Sequence, residues 1–130
     1  MDDNHTRSTP YRTHRTAGGT TVVTLRGELD VMTAPSLTAR LDALASGPLP
    51  DLVLDLRPVS FIDCAGLGVL CRVRNRVKAR NGRLRLVTNS SQFLRILRHT
   101  ELTGVFDIGS RLPEEAAGTP VADSVSASAD

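Results

Sequence analysis

The residues from Asp51 to Gly82 constrain the fold more than any other part of the chain. Leu52-Val53-Leu54-Asp55-Leu56 is almost unbroken in its apolar character, the signature of a strand covered on both faces rather than one alternating between core and water. After Phe61-Ile62 a second pattern opens at Asp63 or Cys64 and runs to about Arg80. There Leu67, Leu70, Cys71 and Val77 recur at helical spacing, with Val69 and Val73 beside them. Asn81-Gly82 ends that helix, since both residue types suit the left-handed backbone of a helix C-terminus. Another strand follows over residues 83–88, with Leu84 and Leu86 on one face and Val87 on the other. Strand, helix, strand is the chain order of an α/β protein with right-handed crossovers.

The flanking segments repeat the alternation. Residues 1–10 are polar and are expected to form a flexible N-terminus. Residues 11–17 read as a weak edge strand, and Gly18-Gly19 as a turn. Thr21-Val22-Val23-Thr24-Leu25 is β-branched and predicts a strand ending at Gly27. Thr33 suits a helix N-cap, with Pro35 tolerated in the first turn. Leu37, Leu41 and Leu44 then recur at helical spacing until Ser46-Gly47-Pro48 stops the helix. Residues 89–91 cap a third helix over 92–99, whose Phe93, Leu94 and Leu97 face inward, and Val105-Phe106-Asp107-Ile108 reads as a short final strand. Beyond Gly109 the chain is rich in Ala, Ser, Pro and acids without periodicity, so residues 110–130 are expected to be a disordered tail and 11–109 the domain.

Composition narrows the function classes. Aromatic residues make up 3% of the chain, too few for a platform that stacks nucleic-acid bases. The net charge of +2 is too small to demand a polyanionic partner, so direct nucleic-acid binding is not expected. The charge is unevenly placed, however: seven basic residues and no acidic one lie between Arg72 and Arg85. Arg supplies fifteen of the sixteen basic residues, with Lys78 the remaining one. Codon usage in a GC-rich genome accounts for that excess, and so does a basic helix face that meets an acidic protein surface.

Cys64 and Cys71 are separated by about 10.5 Å along one helix, beyond disulfide reach, and no His stands at metal-ligand spacing from them. Two unpaired thiols fit a reducing cytoplasm. No apolar run is long enough to span a membrane. No Ser/His/Asp arrangement, metal-ligand cluster or phosphate-cradling glycine loop is present, so neither catalysis nor a cofactor or metal is expected.

The start of the second helix carries the candidate site. The first N–H groups of a helix lack intrahelical partners and lie at the positive end of its dipole, so such a tip suits acceptor groups. Asp63 reads as the N-cap. Gly66 and Gly68 each cost about 1 kcal/mol in a helix relative to Ala. Close approach of another backbone explains that cost, either a neighbouring strand or a docked partner. Leu67 fits the core by periodicity, and also fits an anchor if exposed. Cys64 is either a small residue packed under the loop or a thiol whose pKa the helix terminus lowers.

With these residues in view, the chain resembles the STAS domain, the fold of the anti-sigma factor antagonists. Gly27-Glu28-Leu29-Asp30 carries the resemblance first. Leu52-Val53-Leu54-Asp55-Leu56 follows, with Val59-Ser60-Phe61-Ile62-Asp63 and Ala65-Gly66-Leu67-Gly68-Val69-Leu70 after it, and then Asn81-Gly82 before Arg83-Leu84-Arg85-Leu86-Val87. The resemblance implies one α/β domain with a small mixed, mostly parallel sheet and helices packed largely on one face. It also implies a bacterial, cytoplasmic regulator of transcription that is not an enzyme. Such an antagonist binds an anti-sigma factor, a serine kinase of histidine-kinase-like fold, and thereby releases a sigma factor; phosphorylation by that kinase ends the binding. The implied partner-binding residues are Gly27, Asp30, Asp63, Cys64, Ala65, Gly66, Leu67 and Gly68.

The family pattern at the tip is Asp, Ser, then a Ser or Thr phosphoacceptor, then Gly-Leu. In this chain Asp63 matches the Asp, Cys64 takes the first Ser, and Ala65 takes the acceptor position. Ala65 has no oxygen to phosphorylate, and Ser60 and Thr33 are the nearest alternative hydroxyls. A second reading is a scaffold or ligand- or lipid-handling STAS module in a larger assembly.

Overall fold

The structure, a computed structural model, describes residues 11–102 and 104–117. Its centre is the strand β4 (Asp51–Asp55), flanked in parallel by β2 (Thr21–Leu25) and β6 (Arg83–Val87). β1 (Tyr11–Arg15) pairs antiparallel with β2, and β7 (Asp107–Gly109) runs parallel to β6, giving the order β1-β2-β4-β6-β7. The central place of β4 explains its composition, since Leu52, Val53, Leu54 and Asp55 are all buried.

The three longer helices are α1 (Ala34–Leu44), α2 (Cys64–Ala79) and α3 (Ser91–His99). Leu37 and Leu41, then Leu70, Val73 and Val77, then Phe93 and Leu97 join Leu52, Leu54 and Leu86 in one core cluster. These helices therefore cover one face of the sheet, as the resemblance implies. On the opposite face Val22, Val53 and Val87 form a smaller cluster with Leu112.

Four elements differ from the sequence expectation. The second strand does not simply end at Gly27. There the backbone swings to φ +74°, and a new strand β3 (Gly27–Leu29) begins. The segment between β4 and α2, to which the sequence pattern assigns no strand, contains β5 (Val59–Ile62), which pairs in parallel with β3 in a separate two-stranded sheet. Both strands are too short to show a period of two, the signal from which strands are read.

The third difference is at the C-terminal end. Residues 110–117 are not part of a disordered tail: Leu112 is buried and α4 (Pro113–Ala117) follows it. The Glu115 carboxylate accepts from the Leu112 N–H at 2.8 Å and from Arg57 at 3.0 Å, while Arg57 also donates to Asp55 at 2.9 Å. One apolar contact and two carboxylates, Glu115 and Glu114 (3.5 Å from His14 Nε2), hold this segment, so it has no periodicity to detect. The expected final strand likewise shifts to Asp107–Gly109, because Phe106 turns into the core instead. The expectations for residues 1–10 and 118–130 lie outside the described residues.

Candidate functional site

The small β3–β5 sheet builds the tip. The two strands run in parallel and finish in register, Leu29 opposite Ile62. The Asp63 N–H then donates to the Leu29 carbonyl at 3.1 Å. The loop that leaves β3 and the first turn of α2 therefore emerge side by side.

Asp63 is the N-cap that the sequence predicts. Its backbone is extended and its Oδ1 accepts from the Gly66 N–H at 3.0 Å, while its carbonyl accepts from Leu67 N–H at 2.9 Å. A cap of this kind contributes about 0.5–2 kcal/mol. Asp30 fixes the adjoining loop in the same way, its Oδ1 accepting from Met32 N–H at 2.9 Å and Thr33 N–H at 3.1 Å. Thr33 occupies the cap position of α1 but makes no side-chain capping bond. Its hydroxyl instead donates to the Glu28 carbonyl at 2.9 Å and accepts from Asp30 N–H at 3.0 Å, which ties the loop to β3.

The two glycines of the tip have different surroundings. A Cβ at position 66 would overlap the Leu29 carbonyl oxygen and lie 2.7 Å from the Leu29 Cβ. Gly66 thus lets β3 pass against α2, which selects the neighbouring-strand explanation at that position. At Gly68 a Cβ would meet nothing within 4 Å, and the residue is exposed. Leu67 is buried in the main core, not exposed as an anchor. Gly27 pairs with Val59 at the opposite end of the β3–β5 sheet and supplies the positive φ that lets β3 begin.

Of the eight residues expected at a partner site, the structure thus brings Asp30, Asp63, Cys64, Ala65 and Gly68 to or near one surface. It places Gly66 and Leu67 beneath that surface and Gly27 away from it. Cys64 is exposed and free, and Ala65 is half-buried. Sequence reasoning missed Val31 and Met32, which the Asp30 turn holds 68% and 83% exposed beside the helix start. Their signal was two apolar residues in a turn, where polar residues are usual. Phe61, on β5, is also half exposed. Val31 and Met32, adjacent exposed apolar side chains in one turn, mark a surface that another protein can cover.

The basic segment of α2 is largely engaged. Asp42 on α1 receives Arg72 at 2.9 Å and Arg76 at 3.2 Å, and the hydrogen bond from Arg72 holds the Asp42 carboxyl below its usual range. Arg74 donates to the Val105 carbonyl at 2.9 Å. Arg85 reaches Asp51 at 3.3 Å on the sheet. Among the described residues, no cluster of three or more His, Cys, Asp or Glu could hold a metal ion, and no helix is long and apolar enough to cross a membrane.

The architecture agrees with comparisons to known proteins. The family model for the STAS domain matches residues 11–115, and the chain belongs to that family. It is 36% identical over 89 residues to the anti-sigma-B factor antagonist of Bacillus subtilis, covering 68% of this chain and 81% of that protein. An anti-sigma factor antagonist from Mycobacterium paratuberculosis superposes with a TM-score of 0.71 at 26% identity, covering 82% of this chain and 89% of that one. The anti-sigma factor antagonist SpoIIAA in its unphosphorylated form gives 0.64 at 20% identity, over 82% of this chain and 93% of its own, and supports the fold alone.

Proposed function

We propose that this protein is an anti-sigma factor antagonist that binds an anti-sigma factor of histidine-kinase-like fold, so that a sigma factor is released. The observation that carries this reading is the tip itself. Asp63 and Asp30 hold two adjoining turns rigid, and between them Val31, Met32, Cys64 and Gly68 are exposed. A surface fixed by capping bonds and covered with apolar groups binds with little ordering cost. Its relatives are named anti-sigma factor antagonists. The protein acts by binding and catalyses nothing.

Ala65 separates this chain from a phosphorylation-controlled switch. A phosphate at a docking surface adds about −1.5 to −2 charges and opposes the contact by repulsion and desolvation. A methyl group cannot accept it. Thr33 is a poor substitute, because its hydroxyl is already bonded to Glu28 and Asp30. Binding is then governed by the concentrations of antagonist, kinase and sigma factor rather than by covalent release.

Calorimetric titration of the protein into a histidine-kinase-like anti-sigma factor tests the reading. Met32→Glu, on a side chain the fold does not use, is expected to weaken binding at least tenfold with an unchanged melting temperature. Wild-type affinity in that variant would remove the tip from the interface, and absence of binding by the folded wild type would remove the function.

A further inference from the structure

Behind the tip, between β5 and α3, lies a half-open pocket of about 220 Å³. Its origin is topological. β5 pairs only with β3, so the edge of β5 that faces α3 has no strand against it. The side chains on this side, Ser60, Thr88 and Ser90, are too small to fill the gap. Leu29, Leu56 and Phe93 are buried in its wall, with Ile96 half-buried beside them. Ser60 and Gln92 are exposed at its mouth.

Protein interiors rarely leave space larger than a water molecule unfilled. An apolar cavity of about 150 Å³ stays dry and admits benzene, and this one is larger and open to solvent. We propose that the pocket binds a small, mainly apolar molecule, an aromatic ring or short branched acyl group with one hydrogen-bonding end. Leu29, Leu56, Phe93 and Ile96 enclose the apolar part, and Ser60 and Gln92 meet the polar end.

The site is joined to the tip by two residues. Leu29 lines the pocket, accepts the Asp63 N–H through its carbonyl, and packs its Cβ against Gly66. Ile62 also lines the pocket and directly precedes Asp63. A molecule seated there bears on the backbone that positions the α2 cap, and so supplies the tip with a control that Ala65 does not. That consequence rests on the docking function proposed above; occupancy of the pocket does not.

The test uses indole and isovalerate as probes, followed by amide chemical shifts of the whole chain without any protein partner. Saturable shifts are expected at residues 59–62, 88–93 and 96, together with Asp63 and Gly66. For molecules this small the expected Kd is about 1 mM or tighter. Ile96→Trp fills the wall and Gln92→Trp closes the mouth from an exposed position, and each is expected to weaken binding at least tenfold. No saturable shift with either probe, or identical shifts in both Trp variants, overturns the site. Saturable shifts that spare Asp63 and Gly66 overturn its link to the tip. If neither probe binds but both Trp variants lose affinity for the anti-sigma factor, the pocket takes a partner's side chain and the small-molecule assignment is wrong.

Discussion

Two glycines two residues apart on α2 should respond to the same substitution with opposite sign. A Cβ at position 66 would stand 2.7 Å from the Leu29 Cβ and would also overlap the Leu29 carbonyl. Ordinary carbon contacts are about 3.5–4.0 Å, so β3 and α2 would have to separate by about 1 Å. Leu29 is 1% exposed and its carbonyl holds Asp63, so the strand has nowhere to yield without breaking the cap. Overpacking of this kind costs about 1–3 kcal/mol, and the clash with backbone puts Gly66→Ala near the upper end. Ala returns about 1 kcal/mol of helix propensity. The net loss is about 2 kcal/mol, or a melting temperature lower by about 8–16 °C for a domain of this size. Gly68→Ala meets no neighbour and keeps the propensity gain, which raises the melting temperature by about 4–8 °C. Urea denaturation by circular dichroism, with unchanged m values, and thermal melts of both variants provide the measurement. A Gly66→Ala protein as stable as wild type would refute the close approach of β3 to α2 on which the tip's geometry depends.

Other changes follow from the same contacts. Ala65→Ser should become phosphorylated by a cognate anti-sigma kinase, read by intact-mass spectrometry after incubation with ATP; phosphate on the wild type would show that another hydroxyl is the acceptor. Acid stability depends on carboxylates held below their usual range, Glu115 chiefly by its hydrogen bonds from Arg57 and then Leu112, and Asp42 chiefly by its hydrogen bond from Arg72. Their contribution is present above the unfolded pKa and is lost as pH falls through the lower folded one. The urea midpoint should therefore decline below about pH 5, less steeply in Glu115→Gln and Asp42→Asn. An equally steep decline in both variants would contradict the pairing.

The legible parts of the fold were those whose burial imposes a period. β4 announces itself because both its faces are buried, and α2 because Leu70, Val73 and Val77 repeat along one side. The Asp63 cap was legible for a chemical reason, an acidic side chain placed immediately before a helix. β3 and β5 were not, because three or four residues carry no measurable alternation and because the turn into β3 depends on a backbone angle at Gly27. Leu112 and Glu115 escaped for a related reason: a single side chain seated on Val22, Val53 and Val87, and a carboxylate paired with Arg57, leave no local pattern. At the site, sequence separated the residues of the tip from the rest of the chain but not the exposed ones from those beneath. That division needed the approach of Leu29 to Gly66, a contact between segments far apart in sequence. Val31 and Met32 became visible only once the Asp30 turn was seen to hold them in solvent.

Docking without covalent release has two parts, and one titration addresses both. Purified protein is added to a complex of an anti-sigma kinase with its fluorescently labelled sigma factor, with and without ATP, and the free sigma factor is followed by anisotropy. The expected result is displacement of the sigma factor that persists in ATP, with no phosphate gained by the protein. No displacement by the folded protein, or displacement that reverses as ATP is consumed and phosphate appears on the chain, would contradict it.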